Sequence, residues 1–457
     1  MDSINSNLQA SSFRDPSGFL YWQDGELYRF VDDSYKENFE HLLDSGLWEQ
    51  LLKQNLVVNH KEIDKYKIYK PDMLPFVSYP YEWSFSALKN AALLTLKIQK
   101  ISLKYNMTLK DASAYNVQFI GSKPIFIDIL SLEKYVEGTP WIAYKQFCQH
   151  FLAPLLLMSL KEYKLQSLLL SNIDGIPLDT TSNLLPKTTL LNFSILTHIH
   201  FNAFMQKSMQ AMQDKPLKNN NNLKLSKNSL ANLLTDLENI IKSLKLKDNK
   251  TVWADYYNIK NYDEDSFEYK KQLIREYLGL TQSETVVDLG ANTGIFSKIA
   301  NEAGKYVISC DMDYLAVENN YLQLKKEKNR KILPLIIDLC APSPCIGWSC
   351  KERMSFFERT GNDKTVLALA LIHHLRISNN VPVRKLAEFF AGICRELVIE
   401  FVPKEDSMVQ KLLSTREDIF NDYSKEIFEQ EFSNYFTIVK SSQIENSLRF
   451  LYLMERK

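Results

Sequence analysis

The sequence lacks an excess of charge of either sign and any long apolar run. Its 457 residues contain 55 Lys plus Arg and 55 Asp plus Glu, so the formal net charge is zero. Nucleic-acid binders collect phosphates with a positive field, so we expect no nucleic-acid partner. No run approaches the roughly 18 apolar residues that span a bilayer. Residues 1–19 are polar and contain no apolar core of a signal peptide. We therefore expect no transmembrane segment.

The sequence also has few cysteines. Six are too few for a disulfide scaffold in a chain of this length, which favours a cytoplasmic protein. Cys340, Cys345 and Cys350 recur every five residues, but they form no CxxC pair and have no histidine at ligand spacing. Structural zinc sites use closely spaced pairs, so we interpret these cysteines as ordinary packing thiols.

Changes in composition divide the chain into three parts. A tract rich in Lys and Asn at 214–229 predicts a linker or an exposed loop. We therefore expect a first domain over 1–213, a linker and helical connector over 214–250, and a second domain over 251–457. In the first domain, the turn Asp24-Gly25 between alternating apolar residues predicts a β-hairpin over 19–31. Apolar spacing predicts helices over 35–54 and 83–105, and a second hairpin is expected over 117–129, which together indicate an α+β domain.

The second domain has a different pattern. From Glu284 onward, the apolar runs TVVDLG, YVISCD, ILPLIID, TVLALALI and ELVIEFV alternate with segments of helical period. Continuous apolar runs of strand length are typical of strands buried on both faces. The pattern predicts an α/β fold, with a doubly wound, Rossmann-like parallel sheet covered by helices.

Acidic residues in this domain stand at the ends of three successive predicted strands. Asp288 lies in the first strand, and Asp311 ends the second, 21 residues after Gly290. A carboxylate there can accept both ribose hydroxyls of a nucleoside. Asp338 ends the third strand and is placed to accept from an adenine amino group. The three acids predict a nucleoside site.

The glycine turn after the first strand bears on which nucleoside cofactor binds. NAD and S-adenosylmethionine both suit the three acids. A dinucleotide loop should read GxGxxG, whereas VVDLGANTG matches the DxGxGxG form of methyltransferases, with Asn292 in place of the middle glycine between Gly290 and Gly294. Asn tolerates the left-handed backbone conformation, so the departure is mild.

The motifs VVDLGANTG, SCDMD and LALIHHL resemble those of class I S-adenosylmethionine-dependent methyltransferases over 284–457. Further blocks, among them PFVSYPYEWSFSALKNAALLTL and DLCAPSPCIGW, extend the resemblance over nearly the whole chain to a bacterial group described as nodulation-protein-like methyltransferases. The resemblance implies S-adenosylmethionine as cofactor and methyl transfer to an acceptor that it does not identify.

The resemblance also implies roles for individual residues. Asp311 would bind the ribose and Asp338 the adenine, and Leu371 would lie beside the sulfonium. The methionine pocket would be shaped by Asp288, Gly290 and Gly294, with Asn292 in the same turn. A base is needed only if the acceptor must lose a proton, and the candidates are His373 and His374, followed by Glu400. The alternative is that one histidine merely packs or caps a helix.

The first domain contains a second motif. Asp111 stands five residues before Asn116, and Asp128 follows in FIDILS, a spacing that resembles kinases of the aminoglycoside and sugar-kinase type. The resemblance implies that Asp111 orients the attacking hydroxyl as a base, and that Asn116 and Asp128 hold Mg²⁺. A glycine-rich loop and a VAIK-like lysine are missing. Arg29 is a candidate stand-in for the lysine, and Glu49 is its candidate partner.

Three interpretations of the first domain remain: a working atypical kinase with ATP and Mg²⁺, a degenerate kinase-like domain that binds the acceptor or a partner, and coincidence. For the whole chain we expect methyl transfer to a glycan or another polyhydroxylated small molecule. The alternatives are a non-catalytic S-adenosylmethionine-binding protein with a pseudokinase-like recruiting domain, and a bifunctional kinase-methyltransferase.

Overall fold

The chain divides into two compact units, seen in a computed structural model that describes residues 8–211, 225–246 and 264–457. Unit 1 comprises Met1–Ile120, Pro124–Asp248 and Cys345–Arg353, and unit 2 comprises Gly121–Lys123, Asn249–Pro344 and Met354–Lys457. Among the described residues, no helix combines the length and apolar character needed to cross a bilayer.

Unit 1 begins with an antiparallel sheet of four strands, in the order β1-β2-β4-β3. The strands are β1 (Gly18–Gln23), β2 (Glu26–Val31), β3 (His60–Asp64) and β4 (Ile68–Pro71). Asp24 and Gly25 join β1 to β2 with φ of 51° and 78°, which confirms the predicted hairpin. Gly46, with φ of 79°, divides the predicted helix over 35–54 into α1 (Lys36–Asp44) and α2 (Leu47–Lys53).

A long helix and four short strands follow in unit 1. They are α3 (Phe85–Lys104), β5 (Met107–Leu109), β6 (Val117–Ile120), β7 (Lys123–Phe126) and β8 (Leu132–Lys134). β5 pairs with β8, and β6 pairs with β7 as the predicted second hairpin. Buried Gln99 of α3 accepts from the backbone N–H of Leu109 at 2.7 Å and donates to Thr108 at 2.9 Å. The helix thereby fixes the strand that leads to Asp111.

The remainder of unit 1 is helical. Its helices are α4 (Tyr144–Phe147), α5 (Ala153–Leu160), α6 (Leu168–Ser171), α7 (Leu178–Leu184), α8 (Phe193–Ile195), α9 (Asn202–Ala211) and α10 (Lys227–Ser243). A π-helical turn at Cys148–Leu152 joins α4 to α5. α10 falls within the expected connector and packs against α3, to which Glu238 is tied by an ion pair with Lys100. The parts of that connector at 214–224 and 247–250 lie outside the described residues.

Unit 2 is built on a seven-stranded sheet in the order β11-β10-β9-β12-β13-β15-β14. Its strands are β9 (Thr285–Leu289), β10 (Tyr306–Asp311), β11 (Ile332–Ile336), β12 (Thr365–Ala368), β13 (Glu396–Phe401), β14 (Phe436–Gln443) and β15 (Phe450–Arg456). The first five are parallel, as predicted. The sheet continues with two strands that were not predicted from the sequence, since β15 pairs antiparallel with β13 and β14 pairs antiparallel with β15.

The helices of unit 2 are α11 (Glu264–Leu280), α12 (Ile295–Glu302), α13 (Tyr314–Lys326), α14 (Phe356–Thr360), α15 (Val383–Ile393), α16 (Ser407–Leu413) and α17 (Lys425–Ser433). Buried apolar residues of α11, α12 and the sheet form one core. This architecture is the Rossmann-like α/β fold expected for the second domain. The strand order reverses between β9 and β12, and ligands of such sheets bind at the carboxyl ends of the strands beside that reversal.

Candidate functional site

Three residues of the turn after β9 adopt the left-handed backbone conformation. Gly290, Asn292 and Gly294 have φ of 78°, 51° and 82°, so Asn292 adopts the left-handed conformation that we inferred for it. A Cβ built on Gly290 would lie 3.4 Å from Cδ1 of Leu371. Leu371 follows β12, so the two loops beside the strand reversal are in contact.

A chain of hydrogen bonds fixes the start of α12. The Ser297 hydroxyl donates to Oδ2 of Asp288 at 2.6 Å and contacts the Ser309 hydroxyl at 2.8 Å. The Asn320 amide also donates to Ser309, at 2.9 Å. A Cβ on Gly294 would lie 2.5 Å from the Asn320 amide nitrogen, so a side chain there would disturb the chain of bonds.

Asp288 is therefore held inside unit 2. Its side chain is buried, and burial raises the pKa of its carboxyl to about 7. The bond from Ser297 ties β9 to α12 through this carboxyl. Its contact with the methionine part of a cofactor stays a prediction.

Asp311, the last residue of β10, presents a half-buried carboxylate at the edge of the sheet. Its Oδ2 accepts from the backbone N–H of Asn292 at 2.7 Å, and its Oδ1 accepts from that of Asp313 at 2.8 Å. Loss of water raises the pKa of Asp311 to about 6. Within the described ranges, no lysine or arginine forms an ion pair with it.

Asp338 and Met312 flank Asp311. The backbone N–H of Ile337 donates to the carbonyl of Asp311 at 2.9 Å, which places the half-buried Asp338 beside the end of β10. Oδ1 of Asp338 accepts from the N–H of Cys340 at 2.8 Å. Met312 is 61% exposed, an apolar side chain at a polar edge that the sequence analysis did not single out. Its only signal in the sequence is its place between two aspartates in SCDMD.

The two histidines after β12 differ in their surroundings. His373 is 1% exposed, and neither of its ring nitrogens has a hydrogen-bond partner among the described residues. Its ring centroid lies 4.2 Å from that of His374. Burial lowers the pKa of His373 well below its usual value, and His374, Arg449 and Lys270 lower it further. Burial, with Arg449, lowers the pKa of His374 to about 4.

Glu400 of β13 is fully buried between two cations. Its Oε2 lies 2.5 Å from Nζ of Lys270, and its Oε1 lies 3.3 Å from Nη1 of Arg449. Nε of Arg449 also lies 2.7 Å from a carboxylate oxygen of Asp406. Neither cation was predicted from the sequence, because Lys270 on α11 and Arg449, directly before β15, reach Glu400 from distant parts of the chain. We call these four residues the buried ion network.

In unit 1, the structure brings together the residues of the kinase-like motif. The Asn116 amide donates to the Ser131 hydroxyl at 3.0 Å, and that hydroxyl donates to Oδ2 of Asp128. Oδ1 of Asp111 accepts from the N–H of Ser113 at 2.8 Å, and burial raises the pKa of Asp111. We call Asp111, Asn116, Asp128 and Ser131 the acidic cluster.

The partner of Arg29 is Asp128, at 3.0 Å from Nη1 to Oδ1. The prediction that Glu49 fills this role is wrong, because Glu49 is 74% exposed and lies 3.6 Å from Lys53 on its own helix. Asp128 Oδ1 also accepts from the N–H of Leu130 at 3.3 Å. Both oxygens of Asp128 thus have donors within the chain, and one of these donors is a cation. In the part of the chain that the structure describes, no three His, Cys, Asp or Glu side chains are grouped to hold a metal ion.

The strand order of unit 2, its glycine turn and the carboxylates at its strand ends define a class I S-adenosylmethionine-dependent methyltransferase domain. No protein-family model matches the chain. The chain is 34% identical over 459 residues to the nodulation protein NoeA of Rhizobium meliloti (strain 1021), a match that covers 98% of this chain and 96% of NoeA. The protein belongs to the family of NoeA.

Several solved structures are similar to part of the chain. Magnesium protoporphyrin IX methyltransferase from Synechocystis PCC 6803 is 15% identical and covers 46% of this chain and 90% of its own, with a TM-score of 0.32. The N-methyltransferase NodS from Bradyrhizobium japonicum WM9 is 11% identical over 42% of this chain and 98% of its own, with a TM-score of 0.31. The bifunctional kinase-methyltransferase WbdD is 12% identical over 46% of this chain and 44% of its own, with a TM-score of 0.32.

Proposed function

We propose that the protein transfers the methyl group of S-adenosylmethionine to a glycan or another polyhydroxylated small molecule, at an atom that must lose a proton. The observation that carries the proposal is Asp311, a half-buried carboxylate at the end of β10 with backbone donors and no ion pair among the described residues. Asp311 stands beside the reversal of strand order, where ligands of doubly wound sheets bind.

The residues around Asp311 fit an adenosine. Its carboxylate accepts from backbone N–H groups on both oxygens, and an ionised carboxylate, with about four acceptor sites, keeps capacity for a ribose hydroxyl. The exposed Met312 offers an apolar surface for the base, and Asp338 offers an acceptor for its amino group. The turn at Gly290 lets a ligand approach the backbone closely. When bound, S-adenosylmethionine would supply a methyl group already activated by its positive sulfur, so positioning the acceptor is the main task left to the protein.

In this proposal His373 takes the acceptor proton. It stands two residues after Leu371, which is in contact with the cofactor turn at Gly290. Because its pKa is lowered, its ring is neutral near pH 7 and one nitrogen has a lone pair available. Glu400 is less suited to this role, because its carboxylate is already engaged by Lys270 and Arg449. We infer that Glu400 holds these two cations in place.

The test is release of S-adenosylhomocysteine by the full chain, supplied with S-adenosylmethionine and a panel of glycans and polyhydroxylated small molecules. We expect His373→Asn to lower kcat by about 10²- to 10⁴-fold, the usual contribution of a general base. Its affinity for S-adenosylmethionine should not change. His374→Asn, a change of the same size at the neighbouring position, serves as the matched control and should have a smaller effect. An unchanged kcat in His373→Asn would remove the base from the proposal.

A second proposal concerns unit 1. The contiguous bonds from Asn116 through Ser131 to Asp128 favour a kinase-like binding domain over a chance match of spacing. In this proposal unit 1 binds the acceptor or a partner protein. If unit 1 binds the acceptor, Asp111→Ala, which removes one carboxylate of the acidic cluster, should raise KM for the acceptor. The kcat of the methyl transfer should stay the same.

A further inference from the structure

We propose that Arg29 is the resident counter-ion of Asp128 and takes the place of a divalent cation, so that the acidic cluster of unit 1 does not bind Mg²⁺. The proposal does not depend on methyl transfer by unit 2.

Both side chains of the ion pair are largely buried. The Arg29 side chain is 9% exposed and that of Asp128 is 16% exposed, with 3.0 Å between Nη1 and Oδ1. An arginine stays charged at all accessible pH values, so a buried guanidinium needs a carboxylate or comparable acceptors close by. Nε of Arg29 has no hydrogen-bond partner among the described residues. Arg29 therefore depends on Asp128.

Two other polar side chains near the ion pair, His60 and Tyr35, carry no negative charge. His60, at the start of β3, is buried, and its Nδ1 lies 3.0 Å from the carbonyl oxygen of Val58. Burial lowers the pKa of His60 to about 3, with Arg29 as the next cause, so its ring is neutral. The Tyr35 hydroxyl, which lies near Asp128, contacts the Leu132 carbonyl. A metal ion that displaced Arg29 from Asp128 would leave the guanidinium buried and uncompensated.

The ion pair also occupies an Asp128 oxygen that a metal ion would need. Oδ1 is paired with Nη1 of Arg29, while the Asn116 amide donates to the Ser131 hydroxyl at 3.0 Å and that hydroxyl donates to Oδ2. Mg²⁺ requires near-octahedral oxygen ligands at about 2.0–2.1 Å. A divalent ion at Asp128 would also lie within a few ångströms of the guanidinium charge, and like charges at that distance repel strongly where water is excluded.

Electron paramagnetic resonance of Mn²⁺, as a stand-in for Mg²⁺, tests the proposal on the full chain. With the natural chain, we expect the spectrum of free Mn²⁺ at full intensity. Arg29→Met removes the charge but keeps much of the side-chain volume, and it should bind about one equivalent of Mn²⁺. The double variant Arg29→Met/Asp128→Asn should lose that binding. Lys110→Met removes a different cation of unit 1, one paired with Asp15, and should bind none.

Two results would overturn the proposal. One is Mn²⁺ binding by the natural chain, alone or with a non-hydrolysable ATP analogue, that Asp128→Asn abolishes. The other is a folded Arg29→Met variant that binds no Mn²⁺.

Thermal unfolding provides a second readout if Arg29→Met does not fold. Asp128→Asn leaves the buried Arg29 without its carboxylate and should lower Tm clearly more than Glu49→Gln, which alters an exposed ion pair. The double variant Arg29→Met/Asp128→Asn removes both charges and should recover part of the loss. A Tm for Asp128→Asn equal to that of Glu49→Gln would contradict the proposal.

Discussion

Asp128 in unit 1 and Asp311 in unit 2 are each the central carboxylate of their site, and the chain satisfies them in different ways. Asp128 has a guanidinium at 3.0 Å and a hydroxyl donor from Ser131. Asp311 has two backbone N–H donors at 2.7 and 2.8 Å, and no cation among the described residues is paired with it. The site of unit 1 is thus completed by the chain itself, whereas that of unit 2 keeps acceptor capacity for a ligand.

Unit 2 contains buried cations that are paired with carboxylates other than Asp311. Lys270 and Arg449 are buried and bind Glu400, and Arg449 also binds Asp406. The availability of a carboxylate therefore depends on where the nearest cations are held, and charge changes in either unit test this dependence.

The largest effect on stability is expected in the buried ion network. Glu400→Gln leaves Lys270 buried without its carboxylate partner, and breaking a buried pair in this way typically costs about 3–5 kcal/mol of unfolding free energy. The measurement is urea unfolding. Glu388→Gln removes an exposed carboxylate beside Lys385 and should leave the midpoint nearly unchanged. Equal midpoints for the two variants would show that the network does not hold its cations as described.

The glycine turn should give the next largest effect. Gly294→Ala places a Cβ 2.5 Å from the Asn320 amide in a backbone with φ of 82°. Gly304→Ala is the matched control, since Gly304 has φ of 90° and open space around its Cβ. Left-handed strain alone costs about 1–2 kcal/mol, and loss of the bond from Asn320 to Ser309 should add about 1 kcal/mol in Gly294→Ala. Equal unfolding free energies for the two variants would contradict the role given to Asn320.

The pH dependence of stability should separate the units with a smaller effect. In unit 1, burial lowers the pKa of His60 and His150 to about 3. Between about pH 3 and the unfolded value near 6.5, the unfolded chain binds more protons at these positions, so stability falls as pH falls through that window. Each histidine contributes up to about 1.4 kcal/mol per pH unit.

In unit 2, raised acids work in the opposite direction. The pKa values of Asp288 and Asp311 are about 7 and 6 in the folded chain, whereas an aspartate in the unfolded chain has a pKa near 3.9. Between pH 7 and pH 4 the folded chain therefore binds more protons at these positions, and they add stability as pH falls. His150→Gln should therefore flatten the loss of stability between pH 7 and pH 5, and Asp288→Asn should steepen it. Urea midpoints at the two pH values check both. Identical pH slopes in both variants and the natural chain would refute the assignment.

The sequence predicted best what depends on neighbouring residues. Buried parallel strands appear in the sequence as continuous apolar runs. For this reason Asp311 was correctly predicted at the carboxyl end of its strand. β14 and β15 were missed: β14 is partly exposed along its length and has no such run. The turn at Asn292 was predictable because few residues tolerate its backbone conformation.

The ion pairs show where prediction from sequence ends. Arg29 was predicted as a stand-in for the kinase lysine, with Glu49 on a nearby helix as its partner, whereas the structure pairs it with Asp128. Asp128 is brought to Arg29 by the packing of unit 1, and no local pattern indicates that contact. Lys270 is likewise 130 residues from Glu400, so only the folded chain brings them together.

Calorimetric titration of the full chain with S-adenosylmethionine tests the central claim most directly. The natural chain should bind, and Asp311→Asn should weaken the affinity by about 10- to 100-fold, because charged hydrogen bonds to the ribose contribute about 1.5–3 kcal/mol. Asp363→Asn, an exposed change near the amino end of β12, should bind like the natural chain. Affinity that is unchanged in Asp311→Asn, or no binding by the natural chain, would contradict the account.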